Sequence, residues 1–175
     1  MLINTIFMAE KQITKEVKNL LINTFEEVKE IVRKSEKRSR AGLMLGLQEL
    51  GSSLSGFIGA YFPVSSNIIV INKSPLRRII DTNPKLIKPY GFHVLLHEYI
   101  HSLGFLDEQI TRQKTYEISK QHFGENHIAT QLSTNMKKFF PNLVYPVYGW
   151  KPSNDFPPIE IIQGFDRSNT DYYIT

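Results

Sequence analysis

His97-Glu98-Tyr99-Ile100-His101-Ser102-Leu103-Gly104-Phe105-Leu106-Asp107 carries the densest set of chemically active side chains in the sequence. Its two histidines are four residues apart, so on a helix they would lie one turn apart on the same face. Imidazole nitrogens bind Zn²⁺, and a glutamate directly after the first histidine can take a proton from water that the metal activates. Gly104 is expected to end the helix, and Asp107 follows as a candidate third ligand.

The helix that carries this stretch is predicted to span residues 89–103 and to be largely buried. Its apolar side chains cover most of the helix circumference: Phe92, Val94, Leu95, Leu96, Tyr99, Ile100 and Leu103. Burial makes His97, Glu98 and His101 costly unless their polar groups are satisfied, and a metal with its water would satisfy them. The pattern therefore favours a metal site over a structural pair of core histidines.

Length and composition restrict the kinds of site that the chain can build. A chain of 175 residues is long enough for one domain with a real core, and its 22% of charged residues is ordinary for a globular protein. It contains no cysteine, which excludes disulfides and thiolate ligands. A metal must therefore be held by histidine, aspartate or glutamate.

Charge and hydropathy bear on partners and location. The net charge is +4, and the one dense basic run lies at residues 33–40. That run allows a third hypothesis, binding of nucleic acid, but cations also suit the last turn of a helix, and this simpler interpretation is favoured. No apolar stretch is long enough to cross a membrane, and Glu10 comes too early for a secretory signal. We expect a cytoplasmic protein.

The first half of the chain predicts a long helix followed by a small sheet. Apolar residues recur every three or four positions over residues 13–37, which indicates an amphipathic helix. Glycine-punctuated apolar segments at 41–47, 56–62 and 67–72 predict three strands, although residues 43–50 could instead be helical, and the last two strands are expected to form a hairpin around a turn at 63–67. The hairpin would either align an extended substrate by strand addition or form a tight sheet edge.

The second half predicts helices and an irregular tail. A short helix is expected with Ser74 as its cap and Pro75 at its first position, and two helices at 108–123 and 128–140 follow the buried one. The tail, 141–175, is rich in proline and aromatic residues, with one possible short strand at 159–162. The fold class is therefore α+β, and the tail is expected to pack on the same domain.

The pattern His97-Glu98-x-x-His101-x-x-Gly104-x-x-Asp107 resembles the zincin metallopeptidases, most closely their metzincin-like branch. The resemblance implies a small zincin-like catalytic domain in residues 1–140, a peptide or protein substrate, and Zn²⁺ bound by His97, His101 and Asp107. It also implies that Glu98 is the general base for peptide-bond hydrolysis by zinc-activated water. The branch has a methionine-containing turn below the metal, whereas the one downstream methionine here, Met136, lies in a predicted helix.

The sequence pattern alone does not decide which residue is the third ligand. Asp107 could instead cap the next helix, a position that favours aspartate for backbone reasons alone. A helix of about sixteen residues spans roughly 24 Å, which favours candidates at its start over those at its end. The other candidates, in chain order, are Glu108, Glu117, His122, Glu125 and His127.

Several further residues are candidates for the surroundings of the site. His93, one turn before His97, is interpreted as a cleft residue or a helix-start histidine. Arg112 could orient a ligand together with Glu108, although a surface ion pair is the simpler interpretation. Three aromatic residues of the tail could line the cleft or cover the core: Tyr145, Tyr148 and Trp150.

A second hypothesis makes the metal purely structural. In that case the zinc would join helix to helix, the tail would fill the cleft, and a fourth protein ligand would replace water. The candidates for this ligand are Asp155, Glu160 and Asp166.

Overall fold

Five α-helices and four strands make up the part of the chain that the computed structural model describes, residues 13–51, 58–140 and 157–167. The helices are α1 (Lys15–Glu36), α2 (Lys73–Thr82), α3 (Ile87–Ser102), α4 (Glu108–Phe123) and α5 (Ile128–Thr134). The strands are β1 (Met44–Gln48), β2 (Ala60–Tyr61), β3 (Ile68–Asn72) and β4 (Glu160–Ile162). The α+β class is confirmed. None of the described helices combines the length and apolar character needed to cross a membrane.

The strands form one mixed sheet in the order β2-β3-β1-β4. β1 pairs with β3 in parallel, while β2 pairs with β3 and β4 pairs with β1 in antiparallel fashion. The predicted hairpin is confirmed, and its turn is closed by a hydrogen bond from the Ser66 amide to the Pro63 carbonyl (3.0 Å). The short strand suggested at 159–162 is present as β4, so the sheet has four strands rather than three.

Helices α1 and α3 pack against each other over one face of the sheet. β1 and β3 are buried along most of their length, and the side chains that they contribute to the main hydrophobic core are Leu45, Leu47, Ile69 and Ile71. Phe25 of α1 meets Tyr99 of α3 edge to face, with ring centroids 5.4 Å apart. A Cβ at Gly91 would lie only 2.9 Å from a methyl group of Leu21, so this glycine permits the close approach of the two helices.

Residues 157–167 are tied to α1 and β1. The ammonium of Lys29 pairs with the Asp166 carboxylate, and both side chains are almost fully buried, at 8% and 2% exposure. The other carboxylate oxygen of Asp166 accepts a hydrogen bond from the Leu43 amide (2.9 Å). The Phe165 ring stacks on Phe25 with centroids 4.1 Å apart. This segment therefore contributes both a strand and part of the core.

Two predicted helix boundaries were wrong. Asn72, not Ser74, caps α2, because the Asn72 side chain accepts a hydrogen bond from the Ser74 amide (3.1 Å) and the helix already begins at Lys73. The helix predicted to reach residue 140 ends at Thr134. The Asn135 side chain accepts from the Lys138 amide (3.2 Å), which starts a separate 3₁₀ turn at Met136–Lys138.

Some predictions lie outside the described residues. These are the interpretation of the N-terminus up to residue 12, the start of the strand predicted at 56–62, the aromatic residues Tyr145, Tyr148 and Trp150, and the candidate ligand Asp155.

Candidate metal centre

Helix α3 carries the two histidines at its C-terminal end, where a turn reverses the chain. The helix is buried on most sides, yet the side chains of His97 and His101 keep 14% and 15% of their surface exposed. Gly104 follows with φ of +100°, a conformation that side-chain-bearing residues rarely adopt. Its amide donates to the His101 carbonyl (3.0 Å), so the chain folds back over the end of the helix and leads directly into α4.

His97, His101 and Glu108 bring their ligand atoms together. The two Nε2 atoms are 3.2 Å apart, His101 Nε2 lies 3.2 Å from Glu108 Oε2, and His97 Nε2 lies 3.4 Å from Glu108 Oε1. Among the described residues, these three form a group of histidine and carboxylate atoms close enough to share one ion. Glu108 was among the open alternatives for the third ligand.

The spacing of the three ligand atoms fits a tetrahedral zinc site. Ligands at about 2.0–2.1 Å from a tetrahedral ion lie roughly 3.3–3.4 Å from each other, close to the separations found here. Burial lowers the pKa of His97, and the nearby His101 and Arg112 lower it further, while Glu108 acts in the opposite direction. The neutral imidazole that a metal requires is therefore the favoured form of His97 near pH 7.

The protonation of the His101 ring is set by its surroundings. Its Nδ1 atom lies 2.7 Å from the Phe105 carbonyl oxygen, which can only accept a hydrogen bond. The hydrogen of the neutral ring therefore sits on Nδ1, and Nε2 presents its lone pair to His97 and Glu108. The same carbonyl accepts from the hydroxyl of Thr111 (2.9 Å), which is fully buried in α4.

Glu108 occupies the first position of α4 and is held from the solvent side by Arg112. The Arg112 Nε atom donates to Glu108 Oε1 at 2.9 Å. Burial alone would raise the pKa of the Glu108 carboxyl, but the two histidines, when they carry a proton, and the hydrogen bond and charge of Arg112 outweigh it and leave that pKa below its ordinary value. Glu108 is therefore an anion near pH 7, as a ligand must be.

Asp107 is not part of this group. Its Oδ1 atom accepts a hydrogen bond from the Ile110 amide (2.8 Å), and its backbone is extended, as in the N-cap residue of a helix. The capping role that the sequence left open is the one the structure displays. The carboxylate that reaches both histidines belongs to the next residue, Glu108.

The remaining candidate ligands contact other partners. Glu117 accepts a hydrogen bond from the Gln113 side chain (2.9 Å), and Glu125 accepts one from the Tyr116 hydroxyl (3.2 Å). Both donors lie on α4. His122 lies beside Glu27 (3.9 Å), and His127 caps α5. Two carboxylates proposed as a fourth ligand form ion pairs instead: Glu160 with Lys18 and Lys73, and Asp166 with Lys29.

Glu98 directly follows the first histidine on α3, and its carboxyl group interacts electrostatically with that of Glu108. It is only 6% exposed, and burial raises the pKa of its carboxyl to about 8, with a smaller contribution from the charge of Glu108. A hydrogen bond from the backbone of Phe62 acts in the opposite direction. Phe62 directly follows β2, so this hydrogen bond connects the hairpin to the Glu98 carboxyl group.

Sequence reasoning missed two groups of the site. One is Thr111, since a threonine in the first turns of a helix has no distinctive pattern. The other is the backbone of Phe62, whose position depends on how the hairpin packs on α3. The Phe105 carbonyl was predictable in part, because the expected turn at Gly104 places the residues that follow it over the end of the helix.

No protein-family model, curated protein or solved structure matches this chain. An α+β fold is compatible with many activities, so function must be inferred from the chemistry of this site.

Proposed function

We propose that the protein is a zinc-dependent metallopeptidase of the zincin type. The observation that carries the proposal is a group of three ligand atoms, from His97, His101 and Glu108, separated by 3.2–3.4 Å and flanked by the buried carboxyl of Glu98. Two histidines and a carboxylate leave one position of a tetrahedral ion open, the arrangement of catalytic rather than structural zinc sites. Glu108 here takes the part that the sequence pattern assigned to Asp107.

The donor set suits a divalent cation. Two neutral imidazoles and one carboxylate carry a single negative charge, and carboxylate and imidazole atoms are common zinc ligands. When bound, zinc supplies a Lewis acid that lowers the pKa of water and polarises a carbonyl group. The Phe105 carbonyl fixes the His101 ring, and Arg112 fixes the Glu108 carboxylate (2.9 Å), so both are oriented before an ion binds.

Glu98 would act as general base and then as general acid. Its carboxylate takes a proton from the attacking water and returns it to the amine that leaves when the C–N bond breaks. Burial raises its proton affinity toward the working range of such a group. Part of that rise comes from the charge of Glu108, which a bound cation would offset. The hydrogen bond from the Phe62 backbone keeps the carboxyl in one position.

The hairpin supports a peptide as substrate. β2 is the last strand on its side of the described sheet, and it pairs with β3 alone. An extended peptide can add to such an edge through main-chain hydrogen bonds. Because Phe62 follows β2 and contacts Glu98, a peptide along this edge would run past the general base.

Two substitutions test the proposal. Glu98→Gln should keep zinc bound at wild-type stoichiometry but lose hydrolysis of a quenched-fluorescent peptide library, because the amide cannot accept the proton. His97→Ala should lose both zinc and hydrolysis. Full hydrolytic activity in Glu98→Gln would contradict the mechanism. Bound zinc with no cleavage by the wild type would favour the structural-zinc hypothesis.

A further inference from the structure

His93 extends the row of histidines on α3 by one turn. It precedes His97 by four residues, as His97 precedes His101, so all three lie on one face of the helix. The ring centroids of His93 and His97 are 6.4 Å apart, compared with 4.8 Å for His97 and His101. His93 therefore borders the metal centre without belonging to the group that could share an ion.

Ser133 on α5 sets the protonation of the His93 ring. The Ser133 hydroxyl oxygen lies 3.2 Å from His93 Nδ1 and 3.3 Å from the Ala129 carbonyl oxygen. Since the carbonyl can only accept, the hydroxyl hydrogen points to Ala129 and the hydroxyl oxygen accepts the hydrogen on Nδ1. The neutral ring then carries a lone pair on Nε2, which has no hydrogen-bond partner among the described residues.

The ring stays neutral across the physiological range. Burial lowers the pKa of His93 to about 3, and the nearby His97 and Arg112 contribute in the same direction. A neutral imidazole held by Ser133 through Nδ1 offers a fixed hydrogen-bond acceptor. Because His93 is only partly buried, its Nε2 atom can accept a hydrogen bond from a donor outside the protein.

We propose that His93 is a substrate-binding residue whose Nε2 accepts a hydrogen bond from a backbone N–H of the bound peptide. This inference rests on the proposed function. Four residues of helix separate His93 from His97 by about 6 Å along the axis, and an extended peptide advances roughly 3.3 Å per residue. The donor would therefore be an N–H one or two residues from the scissile bond. The site would select peptides over substrates with an ester oxygen at that position.

Two substitutions separate this role from a structural one. The amide of asparagine can replace Nδ1, whereas the longer glutamine places its amide near Nε2. His93→Asn should keep the bond to Ser133, the thermal stability and the bound zinc, but raise KM about tenfold for a peptide that the wild type cleaves, the order expected for one lost hydrogen bond. His93→Gln should lose stability but keep KM within about threefold of the wild type.

The opposite pattern would overturn the inference. If His93→Asn has wild-type KM and kcat while the wild type is active, His93 serves only to hold α3 against α5. Loss of zinc in His93→Asn would make His93 a metal ligand and would equally contradict the role proposed here. A zinc-loaded wild type that cleaves no member of the peptide library would overturn the proposed function, and the inference with it.

Discussion

The Nδ1 atom of His101 lies 2.7 Å from the carbonyl oxygen of Phe105, across the turn made by Gly104. The turn that ends the helix thus also fixes the hydrogen of the His101 ring and leaves Nε2 free for a ligand. Glu108 follows at the start of α4 and reaches both histidines. One short segment of chain therefore supplies two of the three candidate ligands, His101 and Glu108, and the carbonyl group that orients the His101 ring.

Thr111 should affect the metal centre although it is no ligand. Its hydroxyl donates to the Phe105 carbonyl (2.9 Å) and lies 3.4 Å from His101 Nδ1. Thr111→Val should weaken zinc binding by about tenfold or more, within the 10–100-fold range typical of groups that orient ligands. Thr111→Ser keeps the hydroxyl and should bind zinc like the wild type. Titration calorimetry measures the zinc affinity of each variant, and equal affinities in Thr111→Val and Thr111→Ser would contradict a role of the Thr111 hydroxyl in orienting His101.

Zinc should stabilise the fold. A ligand that binds only the folded state stabilises it by about 2.7 kcal/mol at a hundred times its dissociation constant. Thermal unfolding of the metal-free protein should therefore shift upward on addition of zinc and return after chelation. His97→Ala should show a much smaller shift. An equal shift in that variant would mean that zinc binds elsewhere.

The metal-free protein should lose stability in mild acid because of His93. The pKa of His93 is about 3 in the folded state and near 6.5 for an ordinary histidine, so between these values the unfolded chain binds a proton that the folded chain does not. This stabilising contribution is complete above about pH 6.5 and is lost progressively toward pH 3. As the pH is lowered from 6.5 to 3, the urea midpoint measured with a chelator should fall less steeply in His93→Asn than in the wild type. If the midpoints of the two proteins fall in parallel, His93 is not the cause of the loss in stability.

The buried ion pair of Lys29 and Asp166 should matter for folding rather than for the site. Lys29→Met leaves a buried carboxylate without its ammonium and should lower the free energy of unfolding by about 3–5 kcal/mol. Lys29→Met combined with Asp166→Asn should recover part of that loss, because the unpaired charge is gone. Denaturant titration measures each value. A double variant less stable than Lys29→Met would show that the pair is not the reason for the loss.

The parts of the fold that the sequence predicted are those with a strong apolar pattern. The long apolar stripe of α1, the all-round apolar helix around His97 and the continuous apolar run of β3 each depend on burial of nearby side chains, so they were visible in the sequence. The end of α5 was not, because it depends on one side-chain hydrogen bond from Lys138 to Asn135.

The candidate site was predictable only in the part that depends on regular helical spacing. His97, Glu98 and His101 follow from helical spacing alone, and they lie as that spacing requires. The choice between Asp107 and Glu108 depends on the direction in which α4 leaves the turn at Gly104. The cap that Asp107 makes with Ile110 fixes that direction and turns Glu108 toward the histidines. Either Asp107 or Glu108 could have been the helix cap or the candidate ligand, and only the three-dimensional structure shows which carboxylate takes which position.

Substitution of these two neighbours tests the metal centre most directly. Zinc affinity should be measured by calorimetry for the wild type, Glu108→Gln and Asp107→Asn. Glu108→Gln should weaken zinc binding at least a hundredfold, because a neutral amide replaces the only anionic ligand. Asp107→Asn should retain wild-type affinity, since asparagine also caps helices well. Wild-type affinity in Glu108→Gln together with loss of binding in Asp107→Asn would contradict the assignment of Glu108 as the third ligand.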